Sequence, residues 1–581
     1  MDQQQLEALR HSCAHMLAAA VLELYPGTKL GIGPTIEHGF YYDFKFPEGV
    51  SISDTDLMAI EKKMKHIMKG NHHFVGKDVT AEEAREFEKD QPFKLELINE
   101  FAGEGKNLTL YQSGPFTDLC RGGHAENTNK IPSDGLKLEK VAGAYWRGDE
   151  KNPMLTRIYG LLFVTRSELD SYLAQQAEAK KRDHRKLGKE LKLFTLSELV
   201  GPGLPLMQPK GMLVRKGIED YLWELHADKD YMRVWTPHIA KEDLYITSGH
   251  AAKFGDELFR VQGKEDKFIM KPMNCPHHMQ IFADNQFSYR DLPIRYFEPA
   301  TVYRDEKSGQ LGGLTRVRAI TQDDGHLFCR VGQIEQEVST IVQIIKQFYT
   351  TFGMMEGYWV SLSVRGDDKS KYLGTDDAWN AAERALEEAA KVNGLNYKRV
   401  EGEAAFYGPK LDFIFKDAIG RPWQLATIQC DFNLPERFDL SYTNEQGEKE
   451  RPVVIHRAIS GSLERFMGVM IEHFAGAFPV WLSPVQVGFA TVSDKFVAGT
   501  QDLVREFRKL QIRVAIDDAE ETIGKKIRNA VAEKIPYIVV VGERELAGED
   551  WTIRVRGQEE QIKMSKDEFV GKVLQEIKDR K

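Results

Sequence analysis

The chain is poor in cysteine. Cys13, Cys120, Cys275, Cys329 and Cys430 are scattered over 581 residues with no CxxC pair. An odd, dispersed set excludes a disulfide framework and points to a reducing compartment. Long apolar runs are missing too: no window approaches ~18 uninterrupted apolar residues, so no membrane span is expected. The short apolar run at residues 16–22 follows acidic and polar residues, without the basic stretch and cleavage pattern of a secretory signal. A cytoplasmic location is therefore expected. An excess of positive charge is lacking as well, since 79 Lys and Arg against 88 Asp and Glu give a net charge of −9. Nucleic-acid binding would then need local basic patches rather than a globally basic surface. There is no internal repeat and no low-complexity segment. The 42% hydrophobic and 29% charged content is that of a soluble protein with sizeable cores, and the length suggests about three or four domains.

What is present centres on residues 297–328, FEPATVYRDEKSGQLGGLTRVRAITQDDGHLF. An apolar, β-branched run ends in Tyr303-Arg304-Asp305-Glu306, a Gly/Ser-rich turn covers 307–313, and a second strand-like run begins near Leu314. This pattern predicts an antiparallel hairpin with a long loop. Arg304 and Arg316 offer planar forks for phosphate oxygens, Glu306 an acceptor for an exocyclic amine, and His326 a metal ligand. The same residues also fit a solvated hairpin with surface ion pairs. Two distant segments add to the first reading: Met273-Asn274-Cys275-Pro276-His277-His278, and the stretch 454–466, VIHRAISGSLERF. Cys275, His326 and His456 could meet as a three-ligand zinc site with an open fourth position. Spacing alone does not single them out among 16 histidines.

Residues 6–25 predict a helix stopped by Pro26-Gly27, with His11 and His15 on one face. Further on, Asp118 and Cys120 precede His124. HxxxH with CxxxH is zinc-compatible spacing, although a helical His pair is equally common as a structural or surface feature. Residues 54–69 and 167–191 predict helices, the second basic (AKKRDHRKLGKEL); such a run is either a solvated linker or a phosphate-contacting one. GMLVRKGIEDYLWELHADKDYMRVWTPHI predicts an amphipathic helix and then a strand. GEAAFYGPKLDFIF and RPWQLATIQCDF predict strands of a mostly antiparallel sheet, with Tyr407, Lys410, Gln424, Thr427 and Gln429 at or between their ends. Strict alternation would put Gln424 and Thr427 on opposite faces. After Pro484, strands and helices alternate as in a small α/β domain.

YRDE with TRVRAITQDDGH, MNCPHH and IHRAISGSLERF resemble the threonyl-tRNA synthetase family of class II aminoacyl-tRNA synthetases, over essentially the whole chain from His11. The resemblance implies an α+β multidomain fold: an editing domain at 1–166, a basic linker helix at 167–192, a class II antiparallel-sheet core at 193–483 and an α/β anticodon-binding domain at 484–581. It implies a threonine–tRNA ligase that forms threonyl-adenylate, acts on tRNA(Thr) and hydrolyses mischarged seryl-tRNA. Threonine, ATP and a second copy of the chain are the other implied partners, and no membrane. One Zn2+ per subunit in the core, on Cys275, His326 and His456, and Mg2+ with ATP are the implied cofactors. By match to the family motifs, Arg304 holds the α-phosphate and the threonine carboxylate. Glu306 reads adenine, Arg316 takes the γ-phosphate, and Arg465 packs on adenine and phosphates. Gln424 joins this ATP set, and Gln322, Asp324 and Tyr407 surround the amino acid. His11, His15, Cys120 and His124, with Asp118 and Tyr42 beside them, form the editing site. These positions hold zinc in the alanyl relatives, but the threonyl family is expected to work there without metal. Arg528, Glu545 and Arg554 are the expected anticodon contacts.

The chain departs from the family pattern in three places: the ubiquitin-like domain that opens bacterial relatives is not found, Ile320 stands where an aromatic usually stacks on adenine, and Ala519 replaces an arginine of the C-terminal loop. Two other functions fit the chain less well. A non-catalytic synthetase-like RNA binder would have lost the Arg304/Arg465 clamp or the zinc ligands, and both are intact. A free-standing zinc hydrolase on the N-terminal part would have no use for the complete core.

Overall fold

The computed structural model describes residues 2–581, which divide into two compact units, 2–177 and 178–581. The first begins with α1 (Gln3–Leu24), started by a capping box in which Asp2 accepts from the Gln5 amide and Gln5 reaches back. Its buried stripe, including Cys13, Leu17 and Val21, packs on the sheet strand β1 (Gly39–Lys45) and on α2 (Leu57–Met68). Then come β2 (Phe74–Val79), α3 (Pro92–Gly103), β3 (Leu108–Ser113) and β4 (Phe116–Leu119); β2, β3 and β4 make a small antiparallel sheet. β5 (Leu136–Tyr145) and β6 (Met154–Leu162) pair with each other, and β6 with β1.

The predicted helix over 167–191 is two helices, α4 (Arg166–Arg182) and α5 (His184–Glu190). Asp183 leaves the helical region and its carboxylate accepts from the Arg185 amide, so it caps the second helix instead of continuing the first.

The second unit is built on an eight-stranded sheet. In chain order its elements are α6 (Pro209–Ala227), β7 (Tyr231–Arg233), α7 (Cys275–Ala283), β8 (Ile294–Tyr303), β9 (Ala319–Cys329), α8 (Ile334–Thr351), β10 (Trp359–Val364), β11 (Tyr397–Glu401), β12 (Lys410–Lys416), β13 (Pro422–Asp431), β14 (Val453–Ala458) and α9 (Leu463–His473). Strand order is β7-β8-β9-β14-β13-β12-β10-β11, antiparallel in the middle and parallel in the outermost pair at each end. One face is apolar: Leu327, Ile455, Ile428 and Phe413 pack under α6, α8 and α9, in a core with Ile218, Ile341, Phe348 and Phe466. Each such side chain contributes roughly 1.5–3 kcal/mol on burial. The other face carries polar groups.

The hairpin β8–β9 forms as expected, but β9 starts at Ala319, not near Leu314. Arg316 and Arg318 therefore lie in the loop, where the Arg318 amide donates to Gly203 rather than to a strand partner. The expectation about Gln424 and Thr427 also fails. Phe413 pairs with Ala426 and Ile414 with Gln424, so Leu425 is the extra residue of a β-bulge. The bulge resets the alternation, and Gln424, Thr427 and Gln429 share one face with Lys410 and Asp412.

After Pro484 a second sheet has the order β16-β15-β17-β18-β19: β15 (Val487–Thr491), β16 (Val514–Asp517) and β17 (Tyr537–Val541) parallel, β18 (Trp551–Val555) and β19 (Gln561–Met564) antiparallel. α10 (Val497–Lys509), α11 (Ile523–Ala532) and α12 (Lys566–Asp579) complete it. Trp551, Phe507 and Phe569 fill its core.

The turn from β14 into α9 is tied to the hairpin by one buried carboxylate. Asp323 accepts from the Ile459, Ser460 and Gly461 amides at 2.8–3.1 Å, while Arg457 donates to its carbonyl. Burial pushes this carboxyl up to about 6, still below neutral pH, so it meets its donors ionised. Asp323→Ala should destabilise the second unit by about 3–5 kcal/mol, read as a lower urea midpoint of its unfolding transition. An unchanged midpoint would mean that the turn holds without it.

Candidate functional site

The sheet register builds the core site. β9 and β14 pair with His326 opposite His456, and β13 lies on the far side with Gln429 opposite His456. Cys275, the first residue of α7, comes over this row, and the donor atoms of Cys275, His326 and His456 all lie within 4.8 Å of one another. All three are buried. Each ring is oriented from behind. His456 Nε2 is 2.9 Å from the Asp431 carboxylate. His326 Nδ1 is 2.8 Å from His278 Nδ1, and His278 Nε2 is 3.1 Å from Glu298. One nitrogen of each imidazole is left for the cluster, with the backing partner fixing the tautomer. Burial holds His326 well below its ordinary pKa, so the ring is neutral, and raises the Cys275 thiol. One sulfur and two imidazoles with an open side are a donor set that suits zinc.

Around this cluster, Tyr407 is buried, donates to Gln429, and its ring centroid lies 4.9 Å from that of His456. Asp324 Oδ1 is 4.0 Å from His326 Nε2. Lys410 donates to Asp412, which also accepts from Thr427. Gln322 bridges to Ser462 at the edge of the same face. Farther along, Arg304 lies over the Phe254 ring, and Arg465 donates to the Thr315 carbonyl at 3.0 Å. Burial depresses both guanidinium pKa values. The charge of Arg465 adds to the effect at Arg304, and that of Arg316 at Arg465. Arg465 thus lies within electrostatic reach of both Arg304 and Arg316, a grouping suited to an anion. Arg316 itself rests on Glu306 at 2.7 Å. The structure thus gathers every predicted core residue on one face or its rim, with Gln424 exposed on the bulged strand.

In the first unit α1 presents His11 and His15, and the loop after β4 presents Cys120 and His124; their donor atoms also fall within 4.8 Å of one another. They engage each other: Cys120 Sγ is 3.3 Å from His11 Nε2 and 3.3 Å from His124 Nε2, while His124 Nδ1 is 3.3 Å from Ser12 Oγ. The rings are neutral near pH 7, because burial lowers His11 and His15 and takes His124 down to about 2. Burial raises the Cys120 thiol to about 11, so it stays protonated. Beside them lies a cavity of about 340 Å³ lined by His11, His15, Tyr42, Lys94, Asp118 and Cys120. Tyr42 donates to Asp118 at 2.5 Å, and Lys94, 3% exposed, meets the other carboxylate oxygen at 2.6 Å.

Sequence reasoning missed Lys94. It also missed His250, whose Nε2 is 3.5 Å from Cys275 Sγ, and the His278–Glu298 and Asp431 supports. Lys94 is one lysine on an amphipathic helix, with no local signal. His278, in contrast, stood in the quoted MNCPHH segment.

In the C-terminal sheet the three expected contacts have different surroundings. Arg528 on α11 and Arg554 on β18 are exposed, whereas Glu545 accepts from the Gly542 amide and caps its own short helix. A cavity of about 470 Å³ there is lined by Asp517, Ala519, Asn529 and the buried Lys526, which donates to Thr491.

An antiparallel sheet with clustered arginines at one face is the arrangement of the class II tRNA synthetase catalytic core, and here it also carries a Cys/His₂ set. In agreement, residues 259–474 match the family described as tRNA synthetase class II core domain (G, H, P, S and T). Residues 486–576 match the anticodon binding domain, and 108–159 the threonyl and alanyl tRNA synthetase second additional domain. Within that class the chain belongs to the threonine–tRNA ligase family. It is 49% identical to the threonine–tRNA ligase of Porphyromonas gingivalis, over 100% of this chain and 89% of the relative. It is 47% identical to that of Gloeobacter violaceus, over 97% and 90%. Among solved structures, the RNA binding domain of threonyl-tRNA synthetase from Cryptosporidium parvum aligns with TM-score 0.65 and 37% identity, covering 68% of this chain and 98% of that one. The prolyl-tRNA synthetase of Giardia lamblia, 17% identical with TM-score 0.53 over 70% of this chain and 81% of its own, shares the fold.

Proposed function

We propose that the chain activates threonine with ATP, transfers it to tRNA, and hydrolyses seryl-tRNA in its N-terminal unit. The observation that carries this reading is the Cys275/His326/His456 cluster on the same sheet face as the Arg304/Arg316/Arg465 anion site. No side-chain nucleophile is required; the residues act by placement and charge. Arg304 holds the α-phosphate and the threonine carboxylate in line. Arg465 covers adenine and phosphates, Arg316 takes the γ-phosphate, and Glu306 and Gln424 receive the nucleotide, with Mg2+ accompanying ATP. Because Arg316 rests on Glu306 in the free protein, ATP exchanges that ion pair for its own contacts. Gln322, Asp324 and Tyr407 enclose the amino acid.

Cys275, His326 and His456 would hold zinc, which supplies a Lewis acid able to take an amine and a β-hydroxyl together. Threonine offers both and valine does not. A purely apolar pocket would separate the two by only ~10²-fold. The functional boundaries are taken as 1–166, 167–192, 193–483 and 484–581, with Arg528, Glu545 and Arg554 as anticodon contacts in the last. Met212 and Leu213 on α6, and Met232 and Trp235 after it, the last 73% exposed, are apolar side chains at the surface that a second copy would cover. Among the described residues no helix is long and apolar enough to cross a membrane, and the proposed setting is the cytoplasm.

Two outcomes are expected. Cys275→Ala should lose about one equivalent of zinc; metal analysis showing unchanged content would remove the assignment. In the N-terminal unit, His11→Ala with His15→Ala should let seryl-tRNA accumulate while threonylation persists. The imidazoles there stay neutral near pH 7 and can hold water by accepting its hydrogen bonds. Since His11, His124 and Cys120 already engage one another, a chelator that spares the core zinc should not slow hydrolysis. Chelator-sensitive hydrolysis would assign a metal to this unit.

A further inference from the structure

We propose that His184 is a positioning residue that sets the nucleotide-binding loop of the hairpin. This deepens the reading above and rests on it, since it takes Arg316 and Glu306 as ATP contacts. His184 opens α5 and is 5% exposed. Its Nε2 accepts from the Leu314 amide at 3.0 Å, and its Nδ1 lies 2.6 Å from Glu472 Oε1 at the end of α9. The chemistry fixes the tautomer. A backbone amide can only donate, so Nε2 is the acceptor and Nδ1 carries the proton toward the carboxylate. Burial works against ionisation of Glu472, but the hydrogen bonds from the His184 ring and amide and the Arg421 charge outweigh it and keep its pKa low. Asp183, His184 and Glu472 are spaced as if for a metal. However, both nitrogens of His184 are engaged, and Asp183 is taken by the amide and guanidinium of Arg185. The group is a hydrogen-bonded relay from α9 to the loop.

The loop needs such a relay. Between Tyr303 and Ala319 it has left the strand ladder. Its end is tied back through the Arg318 carbonyl to the Arg304 amide, the Arg318 amide to Gly203 and the Arg318 guanidinium to the Glu306 carbonyl. Ahead of Arg316, in contrast, the backbone is held from outside by His184 at Leu314 N and by Arg465 at Thr315 O. Packing shows how closely the imidazole is wedged. Gly313 has φ +60°, and a Cβ there would stand 2.3 Å from His184 Nε2. A Cβ at Gly468 on α9 would meet Leu314 and Thr315 at 3.2–3.3 Å. Leu314 is fully buried, and Arg316 follows two residues later. The point at which His184 pins the loop thus decides where the Arg316 guanidinium starts, although His184 has no contact with the polar sheet face.

The test uses the full chain in threonine-dependent ATP–pyrophosphate exchange, with seryl-tRNA hydrolysis as a readout from the other unit. His184→Ala leaves a buried amide unpaired and should raise the ATP KM about tenfold. The threonine KM should stay within about twofold and seryl-tRNA hydrolysis unchanged. His184→Gln, whose amide keeps a donor and an acceptor, should recover most of the loss. Arg316→Ala tests the underlying reading separately and should also raise the ATP KM. If Arg316→Ala raises it and His184→Ala does not, the positioning role falls. The role falls equally if the ATP and threonine KM values rise together, or if Gln rescues no better than Ala. If neither variant changes the ATP KM, the loop is not an ATP site and both readings fall.

Discussion

The functional face depends on strand register. Leu425 is inserted opposite the Phe413–Ile414 step, and that one residue keeps Gln424 on the same side as Thr427 and Gln429. Were β13 instead a regular strand running through Leu425 with no bulge, every side chain before that point would exchange faces. Gln424 would then point at the apolar core that Phe413, Ile428 and Phe466 share. The His326–His456 pairing is the other half of the constraint, because the metal-competent cluster exists only when these two residues stand directly opposite. The apolar face pins the register, and the polar face inherits its geometry.

On the proposed reading, the two His/Cys clusters divide the labour of selection. In the core, both histidines are backed by partners that leave one nitrogen of each free, through Asp431 and the His278–Glu298 pair. In the N-terminal unit, His11, His124 and Cys120 satisfy one another beside a cavity whose wall carries the buried Lys94–Asp118 ion pair. On that reading, one set presents ligands and the other positions water and an ester. That difference fits what each must do. A site that takes any β-hydroxy amine rejects valine but admits serine, whose single missing methyl is worth only about 1–3 kcal/mol. A second, hydrolytic site is its counterpart.

Much of this was legible in the chain. The hairpin, the Cys275, His326 and His456 trio, the α1 histidines and the C-terminal α/β pattern come from local periodicity and from motifs that carry their chemistry in a few residues. All but one of the misses, the exception being the local helix break at Asp183, depend on long-range pairing. The bulge at Leu425 has no signature in WQLATIQ, because it is set by β12 across the sheet. The break at Asp183 looks like one charged residue among many until its carboxylate turns onto Arg185. The start of β9 moved because Gly203, distant in sequence, takes the Arg318 amide. Lys94 and Asp118 are 24 positions apart, Glu298 and His278 20, and nothing nearby in sequence marks either pair as joined.

The central claim is that the polar face of the eight-stranded sheet activates threonine and discriminates by the amine–hydroxyl pair. Amino-acid-dependent ATP–pyrophosphate exchange, run side by side with threonine, serine and valine, tests it most directly. The account predicts rapid exchange with threonine, slower but clear exchange with serine, and none above background with valine. Exchange with valine equal to that with serine, or no exchange with threonine, would contradict it.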